Sequence, residues 1–369
     1  MDKDVFRFQS HSPLTPKLVL LHEYIQNHLK DWIAKMPASP TPRSLQQVEE
    51  DIALRWLEIA NPAIKWDRFI AYIEHIRSRT YENSRVTMNL VIGSGQGALS
   101  LADPGIQKII DPLSSSMQVY FRVDRDLRYL DYREILLKDV SESSGYRFVP
   151  EFLEPFASIL QDGEFSMHLT KRGDFFIMDS CGLLAANRKG RWHVYDAPSL
   201  KNSVCTILGD VTLGSNLFEL MFDLSYRRHG ALLVYDPRHK VIEQVLNPQS
   251  IVGGESPSPD AARAMIAPVI RDIHLGRTDR LTNKKNLFLE LAGLDGAVIF
   301  DDQELITVGA MIKPYPNLGS YLGARTIAAQ SAYRFGGIPI KISADGEIQI
   351  LFKSCDPEGR TSDAVLILM

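Results

Sequence analysis

Leu294-Asp295-Gly296-Ala297-Val298-Ile299-Phe300 is an apolar run entered through one acid and two small residues, and its reading decides the fold. It predicts a strand from Ala297 to Phe300 with the Asp295 carboxylate at the sheet edge, where a divalent metal can be held. After a loop the chain continues Leu322-Gly323-Ala324-Arg325-Thr326-Ile327-Ala328-Ala329. A Gly-small-Arg step opening an Ala-rich helix offers backbone N–H groups and a fixed cation to a phosphate. Read together, the two blocks suit a site for a metal and a nucleotide.

Working outward, Ala231-Leu232-Leu233-Val234-Tyr235 is a second apolar strand, preceded by a helix carrying Leu217, Leu220, Met221 and Leu224 that Ser215 or Asn216 is expected to cap. Helices are predicted from Pro259 through Ile273 and from Thr282 to Leu291. Ala297–Phe300 should turn at Asp301-Asp302-Gln303-Glu304 and return as Leu305 to Ile312. A helix from Arg325, a strand Ile338 to Ile342, a turn at Asp345-Gly346 and a strand Ile348 to Phe352 complete a mixed α/β domain, set at 211–369. Upstream, period-two patterns at 86–92, 117–123 and 165–177 and turns at Lys171-Arg172-Gly173-Asp174 and Asn187-Arg188-Lys189-Gly190 predict a β-rich or α+β domain over 81–210.

Residues 1–80 read as helices. Thr15-Pro16 opens one with Leu18, Leu21, Ile25, Leu29 and Trp32 on a stripe, and a Pro-rich break over 36–42 follows. Ser44 with Gln47 makes a capping box for a second, with Leu45, Val48, Ile52, Trp56 and Ile59, and Trp66, Phe69, Ile70, Ile73 and Ile76 mark a third.

The 369 residues carry 45% hydrophobic and 23% charged side chains and a formal charge of −4, with no general attraction to nucleic acid or anionic lipid. Cys181, Cys205 and Cys355 are odd in number and scattered, which suits a reducing compartment. Met1-Asp2-Lys3-Asp4 does not start a secretory signal, and no run approaches the about 18 apolar residues of a membrane span. A cytoplasmic location is expected, without membrane or nucleic-acid partners. Gly93-Ser94-Gly95-Gln96-Gly97 follows a strand but lacks the Gly-Lys-Ser/Thr ending of a phosphate loop, so it reads as a glycine-rich turn.

In order along the chain, His229-Gly230-Ala231-Leu232-Leu233-Val234, Leu294-Asp295-Gly296-Ala297-Val298-Ile299, Gly323-Ala324-Arg325-Thr326-Ile327-Ala328-Ala329 and Ile342-Ser343-Ala344-Asp345-Gly346-Glu347-Ile348 resemble the diadenylate cyclase domain family, the nucleotide-binding domain of the DNA-integrity scanning protein and its relatives. The resemblance runs from about Ser215 to Phe352. It implies a domain that holds one ATP and meets a second copy face to face, so that each 3'-hydroxyl attacks the other nucleotide's α-phosphorus and cyclic di-AMP forms. It further implies that Asp295 binds Mg²⁺ or Mn²⁺ and helps activate the hydroxyl, that Gly296 and Ala297 let the nucleotide approach the backbone, and that Arg325 holds phosphate oxygens. Gly323, Ala324 and Thr326 belong to the same phosphate-facing helix start, and Ser343 offers a hydroxyl. A homodimer or larger homo-oligomer is implied.

The departure is at Thr326 and Ile327, where the family has His and a second Arg. Arg277, Arg280, Lys284, Lys285 and Arg334 are nearby cations in sequence, none at a family position. Three readings follow: a divergent diadenylate cyclase controlled by its N-terminal region, a catalytically inactive sensor of nucleotides or cyclic dinucleotides, or a structural assembly subunit that keeps the fold alone.

Overall fold

The computed structural model describes residues 42–81, 83–114, 118–136, 147–247, 273–276, 284–318, 323–355 and 358–368, with Ile270 and scattered helical positions between 16 and 27. The first expected helix, the Pro-rich break, the expected helix from Pro259, Met117, Leu322, Arg277 and Arg280 lie mostly or wholly outside them. The chain divides into two compact units, Met1–Leu200 and Lys201–Met369.

In the first unit, helices α1 (Pro42–Ala60) and α2 (Trp66–Arg77) precede a mixed sheet. Its longer strands are β3 (Met88–Ile92), β5 (Val119–Val123), β6 (Arg128–Glu134), β7 (Phe165–Leu169), β8 (Phe175–Asp179), β9 (Gly182–Arg188) and β10 (Arg191–Val194). Two-residue strands β1 (Thr80–Tyr81) and β2 (Ser84–Arg85) form a ribbon of their own, and β4 (Leu99–Ser100) closes the large sheet in the order β10-β9-β8-β7-β3-β5-β6-β4. Helix α3 (Pro104–Leu113), capped by the Asp103 carboxylate accepting from the Gly105 N–H, and the short α4 (Glu154–Ile159) complete this unit. Among the described strand pairs of this sheet, β3 and β5 alone run parallel, and they are joined through α3, as a crossover between parallel strands requires.

Helices and sheet share one core: Ala53, Leu57, Trp66, Phe69 and Ile73 pack in the same cluster as Met88, Leu90, Phe121, Met167 and Phe175. The sequence reading separates helices from strands at residue 80, but an amphipathic helix pair needs an apolar sheet face to cover, and this one finds it within its own unit. The register of α1 also differs from the expected stripe, because Ala53, Trp56 and Leu57 are buried while Ile52 and Ile59 are only partly so. The Trp56 indole N–H fixes this rotation by donating to the Leu184 carbonyl at 2.9 Å.

The boundary between the units falls within α5 (Ala197–Leu208), and α6 (Val211–Arg227) follows in the second unit. Helix α6 starts ahead of the expected Ser215 or Asn216 cap: Asp210 is its N-cap, accepting from the Leu213 N–H at 2.7 Å, and Ser215 lies inside, donating to the Val211 carbonyl. Gly214, inside the helix, is a packing position, since a Cβ there would stand 2.6 Å from the Cys205 Cα. The sheet follows as β11 (Ala231–Tyr235), β12 (Ala297–Phe300), β13 (Leu305–Ala310), β14 (Ile338–Ile342), β15 (Ile348–Cys355) and β16 (Thr361–Leu368), with α7 (Lys285–Ala292) before β12 and α8 (Ala324–Phe335) before β14. Its order is β13-β12-β11-β14-β15-β16, with β11 parallel to β12 and every other pair antiparallel. A mixed sheet flanked by helices is the α/β architecture expected of this region; β16 is an addition to the expected strands.

Among the described residues no helix is long and apolar enough to cross a membrane. Cys181, Cys205 and Cys355 are all free thiols.

Candidate functional site

Four strands and one helix of the second unit converge on a cavity of about 790 Å³. Asp295 and Gly296 line it from the entrance of β12, Gly323 to Ala328 from the start of α8, and Lys341 and Ser343 from the end of β14. Leu232, Leu246, Ala310, Met311, Ile312 and Pro314 supply an apolar wall. The size and the mixture of apolar lining with a few polar groups are those of a small-molecule site.

The local chemistry of each element explains the convergence. Asp295-Gly296 sits at the β12 entrance because Gly296 adopts φ +105° and a Cβ there would stand 2.5 Å from the Gly309 carbonyl carbon on β13. Gly296 is thus demanded by the strand pairing itself, whatever ligand approaches. Asp295 is exposed at the cavity, and among the described residues no cation pairs with it. Ala297, in contrast, is buried in the hydrophobic cluster with Leu232, Val234 and Ile299 and does not line the cavity.

Helix α8 begins at Gly323, an N-cap without a side-chain hydrogen bond, and no acidic residue stands in its first turn. The Thr326 and Ile327 N–H groups donate to the Gly323 carbonyl at 2.9 and 3.0 Å, so those of Ala324 and Arg325 have no intrahelical acceptor. Ser331 anchors the far side: its hydroxyl donates to the Ile327 carbonyl and accepts from the Tyr315 N–H, fixing the chain next to Pro314.

The Arg325 guanidinium lies across Gly230 at the entrance of β11, where a Cβ would collide with its Nη1 and stand 3.3 Å from the Ala344 nitrogen. Glycine is therefore required at position 230 to let Arg325 rest against the strand. On β14, Ile340 and Ile342 are fully buried on one face, and strand alternation turns Lys341 and Ser343 to the other. Lys341 stands opposite Leu232 of β11, and its ammonium donates to the Thr326 hydroxyl at 3.4 Å. The Ser343 hydroxyl accepts from the Asp345 N–H at 3.3 Å within the turn that follows.

Of the residues singled out in sequence, Asp295, Gly296, Gly323, Ala324, Arg325, Thr326 and Ser343 are thus brought to one cavity. Among the described residues, the other sequence-neighbouring cations do not reach the cavity. Lys285 pairs with Asp223 at 2.6 Å and Arg334 with Asp363 at 3.4 Å, and Lys284 does not line the cavity. Asp301 and Asp302 serve the β12–β13 turn and its neighbours: Asp301 accepts from the Gln303 and Glu304 N–H groups and from His239, and Asp302 from the Tyr235 hydroxyl. Among the described lining residues, Lys341 is the charged one that the sequence reading missed. Its signal was a lysine between two isoleucines, two residues before Ser343.

No cluster of three or more His, Cys, Asp or Glu side chains suited to a metal occurs among the described residues. One carboxylate fits a Mg²⁺ or Mn²⁺ ion that arrives with a polyphosphate, because such ions keep several waters and take one or two carboxylates plus phosphate oxygens.

In the first unit, the 93–97 loop is a turn held by Asp124, whose carboxylate accepts from the Gly97, Asp126 and Arg128 N–H groups. No protein-family profile matches the sequence, and no curated protein matches it. Among solved structures, the chain is similar to DacA from Staphylococcus aureus, a double mutant, with 15% identity, a TM-score of 0.25, and coverage of 41% of this chain and 85% of that one. It is also similar to a hypothetical membrane-spanning protein from Bacillus cereus, with 16% identity, a TM-score of 0.26, and coverage of 46% and 76%.

Proposed function

We propose that the cavity of the second unit binds ATP together with Mg²⁺ or Mn²⁺, and that two copies of the chain condense two ATP molecules into cyclic di-AMP. One observation supports the reading: Asp295-Gly296, Gly323 to Ala328 and Ser343, drawn from three separate sequence blocks, line a single cavity whose described lining holds one carboxylate and two cations. The apolar wall from Leu232 to Pro314 suits a base, and the end formed by Arg325, Lys341 and the start of α8 suits a phosphate chain.

In the condensation each ribose 3'-oxygen forms a bond to the α-phosphorus of the other nucleotide. Each α–β anhydride bond breaks, two pyrophosphates leave, and the two hydroxyl protons pass to solvent. Arg325 would hold phosphate oxygens and orient the chain for in-line displacement, and Asp295 would hold the divalent ion. That ion, when bound, neutralises charge developing on the phosphate oxygens. The first unit would act as a sensor or regulator of the second, in the cytoplasm.

Incubation of the purified chain with ATP and Mn²⁺ or Mg²⁺ should yield cyclic di-AMP by mass spectrometry. No product above an Asp295→Ala control would sink catalysis.

A second reading is a nucleotide or cyclic-dinucleotide sensor without turnover. Thr326 and Ile327 favour it, since they bring one hydroxyl and no charge to the helix start. Calorimetric binding of ATP or cyclic di-AMP without product formation would select it.

A further inference from the structure

Lys341 is placed unusually for a lysine in the middle of a six-stranded sheet. It lies between Ile340 and Ile342, both fully buried, and faces the cavity beneath the first turn of α8. Its ammonium is held at 3.4 Å by the Thr326 hydroxyl, and Arg325 of the same turn lines the same cavity. Helix N-termini favour negative charge and oppose positive charge. Here two cations gather at one, the first turn carries no acid, and among the described residues no carboxylate forms an ion pair with either cation. Among the described residues, Asp295 is the one acidic residue lining the cavity. Such a concentration of positive charge is unfavourable in the empty protein and is offset when an anion enters.

Resting on the nucleotide reading above, we infer that Lys341 is a phosphate-binding residue of this cavity, steered toward the phosphate chain by Thr326. An ammonium has three donors and no acceptor. One is directed at the Thr326 hydroxyl, which leaves two for phosphate oxygens. Thr326 thereby fixes the end of a flexible four-carbon stem. Arg325, on the first turn of α8 and resting on Gly230, and Lys341, rising from β14, come from different elements and so can grip different phosphate oxygens.

The test is calorimetry on the full chain with ATP and Mg²⁺, and separately with adenosine, for wild type, Lys341→Met, Lys341→Gln and Lys341→Arg. Loss of one charge-assisted contact should weaken ATP binding about 10- to 100-fold in the Met and Gln variants. Adenosine affinity should stay within about threefold of wild type, and Lys341→Arg should recover most of the ATP affinity. Two variants of different polarity guard against one failing to fold. Unchanged ATP binding in both, or an equal loss for adenosine, overturns the assignment of Lys341 alone. Absence of ATP binding by the wild type overturns the nucleotide reading of the cavity, and Lys341's role with it.

Discussion

Two glycines at the cavity have opposite reasons for being glycine, and the difference is measurable. Gly230 makes room for a side chain: its Cβ would meet the Arg325 guanidinium, which can swing aside. Gly296 makes room for a backbone and holds φ +105°, so neither the conformation nor the neighbour can yield. Gly230→Ala is therefore expected to leave stability within about 1 kcal/mol of wild type, while ATP affinity falls about tenfold as Arg325 leaves its place. Gly296→Ala should cost at least about 1 to 3 kcal/mol of stability from backbone strain alone. Thermal melts and calorimetry on both variants check this pair. Undiminished ATP binding by Gly230→Ala would show that Arg325 does not contact the ligand.

At the scale of elements, β7 carries a buried group with a predictable pH signature. His168 is fully buried, its ring lies tilted by 53° against Phe156 at 4.3 Å between centroids, and burial lowers its pKa from 6.5 to about 3. Asn89 spends an amide N–H on the Val119 carbonyl, so its oxygen accepts from His168 Nδ1–H, and Nε2 accepts from the Ser166 hydroxyl. Between pH 6.5 and about 3 the unfolded imidazole is protonated and the folded one is not. The unfolded state binds more protons there, so stability is complete above pH 6.5 and declines as pH falls, by about 1.4 kcal/mol per pH unit for this group. All four tryptophans lie at or before position 192, so their fluorescence reports the first unit. Denaturant titrations at pH 7 and 5 should show a shallower pH dependence in His168→Gln than in wild type, and equal slopes would refute the account. His193, lowered to about 4 chiefly by burial, keeps a residual slope in both.

Elements differ in how far they were legible beforehand. Strands β11, β12 and β14 match the expected Ala231–Tyr235, Ala297–Phe300 and Ile338–Ile342, because short apolar runs bounded by turn residues admit few readings. The hairpin after β9 was legible from Lys189-Gly190, whose φ values of 51° and 79° give the primed turn that hairpins favour. The start of α6 was not, because Gly214 is a packing position inside the helix, seen only against Cys205. Strand β16 was hidden by its exposed alternation: Val365 and Ile367 face outward on an edge, where no core pattern is imposed. At the site, Asp295 and Arg325 were visible through their neighbouring small residues. Lys341 was invisible for a topological reason, since only the β11–β14 register brings it beneath Thr326.

For the whole molecule, the decisive quantity is the number of nucleotides one chain can present. The described cavity of about 790 Å³ offers one apolar wall and one cationic end, which suits a single nucleotide. A reaction that joins two nucleotides then needs two cavities facing each other, hence two copies of the chain. Binding and turnover should separate on dilution. ATP affinity per chain is expected to be independent of chain concentration, because Asp295, Arg325 and Lys341 all come from one copy. The rate of cyclic di-AMP formation per chain is expected to follow the dimer fraction. Initial rates at saturating ATP, taken over about a hundredfold range of chain concentration alongside sedimentation velocity, measure both quantities. A constant rate per chain across a range in which sedimentation shows dimers giving way to monomers would mean that one copy suffices, and the shared-site mechanism would fail while the nucleotide site stood.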